Sequence, residues 1–203
     1  MGENNPRRNA FANGSPADHH ARLITVFHIR MAQLLLSVVN CSQHQHQQQQ
    51  QQPDDAWLMG SWQRVLETCQ GIAGLASEWN SAFCIAVDPA ITFTTFTTLI
   101  FFDLQRKSLM PMVDSRSSAL RERIDHDITV LHLQLRHFGR IWTQARLLAL
   151  SFESFSQSVS GPLLYGHLVL IISRFEAPLH PRWLQFLSSA RSVLDACRVQ
   201  DTG

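Results

Sequence analysis

The sequence predicts an all-α fold, built as an irregular array of about six helices. The first observation behind this prediction is that apolar residues recur at steps of three and four along most of the 203-residue chain. The second is that Asp, Pro and Gly signals for helix starts and ends separate these stretches. The third is that no hairpin turn of the Asn-Gly kind joins segments of alternating apolar and polar residues. An apolar content of 45% excludes a wholly disordered chain and is enough for the core of one domain.

The N-terminal quarter predicts one helix between two disordered segments. Residues 1–18 are polar and rich in Asn and Pro, which indicates a disordered leader. Apolar residues then line one face of a helix from His19 to Asn40. The Gln- and His-rich stretch 42–53 has no side chains that could form a core, so it predicts a disordered loop inside an all-α domain spanning 19–199. That loop is either a solvated spacer or a polyglutamine interaction segment.

The next two predicted helices begin at acidic residues. Asp54 and Asp55 suit a helix N-terminus because the exposed amides there carry partial positive charge, and the helical period continues to about Asn80. Asp88 and Pro89 repeat the start signal, with Asp as the cap and Pro at the first helical position. The following Thr, Ile and Phe residues locally favour a strand. We favour a helix, because strict alternation fails and the apolar residues fall three and four apart.

The clearest pattern predicts one long helix from about Ser117 to Phe155. Its apolar positions alternate steps of three and four over about five heptads, which a coiled coil would also show. Five further apolar residues widen the stripe, which favours the central helix of a globular bundle. The same pattern places Trp142 in the core, so Trp142→Ala is predicted to unfold the protein. The widening residues are Val130, Leu133, Ile141, Leu147 and Leu150.

Breaker residues separate two more predicted helices from the long one. Ser160, Gly161 and Pro162 end the pattern. A short and nearly all-apolar helix is then predicted over residues 163–175. After two further prolines, a last helix is predicted over residues 182–198.

The cysteines do not form a metal-binding pattern. No two of the four have the short spacing of a zinc knuckle, and four cysteines in this length exclude a disulfide-dense scaffold. Three of them lie in apolar surroundings and are interpreted as reduced core thiols. We therefore expect the purified chain to hold no stoichiometric zinc. The four are Cys41, Cys69, Cys84 and Cys197.

No other residues converge on a catalytic or cofactor site. His126, His132 and His137 are six and five residues apart, which does not place them on one helical face, so we interpret them as solvated. His44 and His46 belong to the Gln-rich stretch and are also interpreted as solvated. Nucleophile elbows and glycine-rich phosphate loops are absent. The sequence therefore predicts that the chain is not an enzyme and has no catalytic, cofactor-binding or metal-binding residues.

Charge and hydropathy predict a protein that binds neither DNA nor a membrane. The net charge is +1, and acidic residues interrupt the arginines at positions 116, 121, 123, 136, 140 and 146. We expect non-specific DNA affinity at or beyond ~10⁻⁴ M. The first 17 residues have no apolar segment typical of a secretory signal, and the longest apolar stretches are short or interrupted by polar residues. A soluble protein is the expectation.

Four further sequence features occur in a fixed order: the helix 21–36, Cys69-Gln-Gly-Ile-Ala-Gly-Leu-Ala, the Asp88-Pro89 helix start with Phe93 and Phe96, and the stretch from Leu131 to Trp142-Thr-Gln-Ala145. Taken in this order, they resemble the C-terminal half of the regulatory domain of fungal zinc-cluster transcription factors, the middle homology region. The chain departs from that family's pattern at Val39-Asn40, where Arg-Pro is expected, and at Gly71, where Ala is common. The six-cysteine zinc cluster and the first half of the regulatory domain are not in these 203 residues.

The resemblance implies a nuclear role in transcription regulation, without DNA contact by this chain. The chain would be a fragment, a truncated gene model or a stand-alone paralogue. Partners would be proteins of the transcription machinery or a second copy, with a small-molecule effector left open. The alternatives are a small all-α ligand-binding protein or enzyme with an apolar pocket, and a plain helical scaffold.

Overall fold

The all-α prediction is confirmed. The computed structural model describes residues 16–47, 55–80, 88–108, 115–164, 167–168, 170–171, 181–183, 185 and 189, and none of these lies in a strand. Side chains are described from Asp18 to Ser37 and, except at residues 115–117, from Trp62 onward within these ranges. The helices that are described over their whole length are α1 (Pro16–Gln47), α2 (Asp55–Ser77), α3 (Pro89–Ser108), α4 (Ser115–Phe138) and α5 (Thr143–Ser158).

Helix α1 is longer than the sequence predicted at both ends. It begins at Pro16, inside the predicted leader, and continues to Gln47, so the first part of the Gln-rich stretch is helical rather than part of a loop. Gln is a good helix former, which allows the helix to continue past its apolar face. Residues 1–15 and 48–54, which carry the rest of the two predicted disordered segments, lie outside the described residues.

Helix α3 is the central element of the fold. It contacts the other four helices, and thirteen of its residues, from Ile91 to Leu104, are buried. Asp88 caps it as predicted, because its Oδ1 accepts a hydrogen bond from the Ala90 amide at 2.8 Å. The strand alternative is wrong, and the prediction that the 117–155 helix is central is also wrong. A helix that is apolar on all sides belongs at the centre of a bundle.

The predicted long helix is two helices joined by a tight turn. Helix α4 ends at Phe138, and α5 begins at Thr143. Gly139 allows this corner, because a Cβ added there would lie 3.1 Å from both the Cα and the N of Arg146. Further from the corner, Nε2 of His132 lies 3.2 Å from Oε1 of Glu153, so the helices run antiparallel as an αα-hairpin.

The turn moves Trp142 out of the predicted core. It lies directly before α5 with extended backbone, φ −106° and ψ 115°, and it is 39% exposed. The continuous helix would have put it between Phe138 and Ala145, which are both fully buried. The prediction that Trp142 is a core residue is therefore wrong.

The segment after α5 packs against the end of α3. Helix α5 ends before Ser160-Gly161-Pro162, as predicted, and the Leu163 amide donates a hydrogen bond to the Lys107 carbonyl at 2.9 Å. Residues 167–168, 170–171, 181–183, 185 and 189 are helical, which agrees with the last two predicted helices, although Leu163 and Leu164 are not. The fully buried indole of Trp183 packs on Phe155, with ring centroids 5.6 Å apart.

Candidate functional site

A cleft of about 1020 Å³ opens where the end of α2 meets the α4–α5 hairpin. Ala76, near the C-terminal end of α2, and Trp79, which follows that helix, line one side of the cleft, and the two hairpin helices line the facing side. The apolar side chains that the hairpin contributes form the floor of the cleft, and they are Val130, Leu133, Ala149 and Leu150. The cleft therefore lies between the region at the end of α2 and the α4–α5 hairpin, which are distant in sequence and meet only in the folded protein.

The apolar floor of the cleft is open to solvent. Leu133 is 61% exposed and Leu150 is 55% exposed, although both belong to the widened stripe that predicted a core face. Ile141 and Leu147, from the same stripe, are exposed beside the hairpin turn. The interpretation of this stripe as core is wrong, because the helix break leaves that side of the hairpin without a covering element among the described residues. A grouped apolar surface of this kind marks an interaction site more often than a scattered exposed leucine does.

Three arginines line the cleft at the turn end of the hairpin, and none has a carboxylate partner among the described residues. Arg136 lies on α4, Arg140 in the turn and Arg146 on the first turn of α5, and all three are exposed. In the described part of the chain, no carboxylate oxygen lies within ion-pair distance of their guanidinium groups. The one acid that lines the cleft, Glu153, instead contacts His132. The cleft thus combines an apolar floor with a positively charged rim.

The side of the cleft at the end of α2 packs against the core through Trp79. The Trp79 ring is 8% exposed and meets Phe138 edge-on, with centroids 5.6 Å apart. It also packs edge-on against Phe27 at 5.9 Å and His20 at 4.5 Å, which ties the cleft to helix α1. Burial lowers the pKa of His20 below its ordinary value, and the neighbouring His19 lowers it further. The cleft is therefore a preformed feature of the packed helices.

A second polar cluster lies at the C-terminal end of α3. The carboxylate of Asp103 is fully buried and accepts hydrogen bonds from Arg106, from Lys107 and from the Ser156 hydroxyl. Lys107, the only lysine in the chain, also donates to the Ser156 carbonyl at 2.7 Å. Burial lowers the pKa of Lys107, and the adjacent Asp103 opposes that shift. Because Asp103 is closed off and its partners are all within the protein, the cluster ties α3 to α5 and offers no site for a substrate.

Among the described side chains, the histidines and the cysteine singled out from the sequence do not come together. His126 is exposed, whereas His132 is half-buried and lies against Phe152, with ring centroids 5.4 Å apart. His137 lines the cleft beside the arginines. Within the described ranges, no group of three or more His, Cys, Asp or Glu side chains is arranged to hold a metal ion.

Cys69 is a core thiol, as interpreted from the sequence. It is fully buried on α2, and burial raises its pKa well above the ordinary range. A buried thiol with a raised pKa is unreactive. Cys84 and Cys197 lie outside the described residues, and the side chain of Cys41 does too.

Comparisons with protein-family models, with curated proteins and with solved structures each find no match for this chain. Among the described helices, none has the length and apolar character that crossing a bilayer requires. The residues of the cleft themselves indicate its chemistry: an apolar floor with arginines beside it can bind a complementary surface.

Sequence reasoning missed both the cleft and the buried cluster. In the sequence, the arginines of the rim belong to a longer basic group that Glu122, Asp125 and Asp127 interrupt. Asp125, one of those acids, instead points to Arg106 of α3 at 3.3 Å. No local signal reveals this, because the pairing is decided by the packing of α3 on α4.

Proposed function

We propose that this chain is a regulatory domain that acts in transcription through protein interactions, and that the cleft between α2, α4 and α5 is its working surface. The observation that carries this proposal is the exposed apolar floor of the cleft, with Leu133 and Leu150 more than half exposed. Interfaces centre on apolar side chains and arginines, and both classes meet here. The transcriptional and nuclear parts of the proposal derive from the resemblance to the fungal regulatory domain.

A protein partner fits this cleft better than a small molecule does. Small ligands favour sites that bury most of their surface. Here the two leucines of the floor remain largely in contact with water, so a small ligand would stay exposed on one side. A partner protein would instead cover the floor and remove the whole apolar patch from water.

The experiment that tests the function is a tethered reporter assay with a matched pair of variants. The full chain is fused to an unrelated DNA-binding domain in yeast, and transcription from a reporter gene carrying that domain's binding site is measured. Leu133→Glu places a charge in the cleft, whereas Leu36→Glu makes the same change on α1, at a leucine that is 65% exposed and does not line the cleft.

We expect the wild-type fusion to change reporter output, the Leu133→Glu fusion to lose that effect and the Leu36→Glu fusion to retain it. Both substitutions are at exposed positions, so both variants should remain folded, which circular dichroism checks. A wild-type fusion without effect on the reporter would contradict the function. An equal loss in both variants would contradict the role of the cleft.

A further inference from the structure

The charge and shape of the cleft together define the chemistry of its occupant. Three guanidinium groups lie beside an apolar floor, and in the described part of the chain none of them has a carboxylate partner. Arginine stays charged at any physiological pH and pairs with carboxylates through two parallel hydrogen bonds. The partner that complements this arrangement presents carboxylates beside an apolar strip.

We infer that the cleft binds an acidic amphipathic helix of a partner protein, with the apolar face of that helix on Leu133 and Leu150 and its carboxylates facing Arg136, Arg140 and Arg146. A helix lying in a groove presents apolar residues at steps of three and four, which gives one narrow strip flanked by polar positions. The inference rests on the proposed function, which it deepens by naming the class of partner.

A second copy of the chain is a poorer occupant. In a symmetric dimer, the same patch of each copy would meet the other, so six arginines would approach each other across one interface. Like charges at an interface oppose association. The arginine rim therefore works against self-association through this cleft.

Nucleic acid and anionic membranes are also poorer occupants, although both carry negative charge. Exposed leucines beside the arginines have no role in contacting a phosphate backbone, which binds through Lys, Arg and polar groups. A bilayer presents a broad surface, whereas the apolar residues here line a concave cleft of about 1020 Å³. A concave apolar floor fits the convex side of a helix.

The binding test uses the full chain and three labelled peptides in fluorescence anisotropy. The first is a helical peptide of about 18 residues, with Leu at steps of three and four and Glu on both flanks. The second replaces every Glu with Lys. The third has the composition of the first in a scrambled order that removes the apolar face. We expect the first to bind at least about tenfold more tightly than either of the others.

A charge-reversed variant tests the arginines directly. In the triple variant Arg136→Glu, Arg140→Glu and Arg146→Glu, the preference should reverse, so that the Lys peptide binds more tightly than the Glu peptide. The control is Arg64→Glu, at an exposed arginine of α2 that does not line the cleft, and it should retain the original preference. Reversal of preference cannot arise from a loss of folding, so it separates recognition from stability.

Four results would overturn the inference. They are equal binding of the Glu and Lys peptides, equal binding of the scrambled peptide, a dimer of the chain that competes with the peptide, and sub-micromolar binding to random duplex DNA or to vesicles of phosphatidylserine and phosphatidylcholine. The reporter assay tests the function independently of the peptides. If the peptides bind as expected but the wild-type fusion does not change reporter output, only the transcriptional function is rejected. If the fusion is active and depends on the cleft but the chain shows no preference among the peptides, only the acidic helix is rejected.

Discussion

Gly139 holds the corner on which the α4–α5 hairpin depends. A methyl group at this position would lie 3.1 Å from the Arg146 backbone and 3.2 Å from the Arg136 carbonyl, and backbone atoms cannot yield as a flexible side chain can. The same substitution at Gly74, an exposed position on α2, meets nothing within 4 Å. The two glycines therefore form a matched pair with opposite expectations.

We expect Gly139→Ala to destabilise the protein and Gly74→Ala to stabilise it by about 0.5–1 kcal/mol, because alanine loses less backbone entropy than glycine in a helix. Urea unfolding of both variants measures the free energy of unfolding. A Gly139→Ala variant as stable as the wild type would show that α4 and α5 have room to separate at the corner.

Trp142 and Trp183 provide a second comparison at the residue scale. Trp183 is fully buried against Phe155, so Trp183→Ala should cost about 3–5 kcal/mol. Trp142 is 39% exposed, and its truncation leaves no enclosed cavity, so Trp142→Ala should cost about 1–2 kcal/mol. Thermal melts of the two variants measure this difference. An unfolded Trp142→Ala protein would contradict the exposed position of Trp142 and would support the continuous helix that the sequence predicts.

Helix α3 shows how an element tolerates side chains that locally favour a strand. Four of its five buried threonines donate their hydroxyl hydrogen bonds to backbone carbonyls of the preceding turn. Thr94 donates to the Ala90 carbonyl at 2.7 Å, Thr95 to Ile91 at 2.8 Å and Thr98 to Thr94 at 2.8 Å. These hydroxyls therefore have partners within the helix itself, which lets the central helix be buried on all sides.

The C-terminal end of α3 is fixed by the Asp103 cluster, where removal of a single partner should be costly. We expect Asp103→Leu to cost about 3–5 kcal/mol, because it leaves Lys107 largely buried without its counter-charge. The double variant Asp103→Leu with Lys107→Met should be less destabilised than Asp103→Leu alone, because no buried charge remains. A double-mutant cycle by urea unfolding measures this coupling, and additive effects would show that the two groups do not depend on each other.

At the scale of the whole molecule, the fold was largely predictable and the cleft was not. The helical period and the Asp88 cap identified α2 and α3, because these signals are local. The helix break at Gly139 was missed, since a short turn between antiparallel helices preserves the steps of three and four on either side of it. The exposure of Leu133 and Leu150 depends on that break and on where α2 packs, which no local pattern contains.

The docking of α1 should make overall stability depend on pH. The pKa of His20 is lowered by burial, so the folded state favours the neutral imidazole and protonation favours the unfolded state. The contribution of His20 to the free energy of unfolding is therefore complete above the ordinary histidine pKa of about 6.5. It is lost as the pH falls from there through the lowered pKa of the folded state. His20→Phe keeps an aromatic ring against Trp79 but removes the titration.

Urea unfolding at about pH 7.5 and about pH 5.5 measures this dependence. We expect the wild type to lose more stability over this interval than His20→Phe does. The control His126→Asn, at an exposed position on α4, should lose as much as the wild type. Equal losses in the wild type and His20→Phe would show that His20 does not contribute to the acid sensitivity.

The most direct test of the cleft as the working surface is hydrogen–deuterium exchange of the full chain with and without the acidic amphipathic peptide. Bound peptide should slow amide exchange at the end of α2 and along the two sides of the α4–α5 hairpin that line the cleft. Exchange along the exposed face of α1, around Leu36, should not change. Slowed exchange on α1 alone, or a peptide that binds without slowing exchange in the hairpin, would contradict the assignment of the cleft.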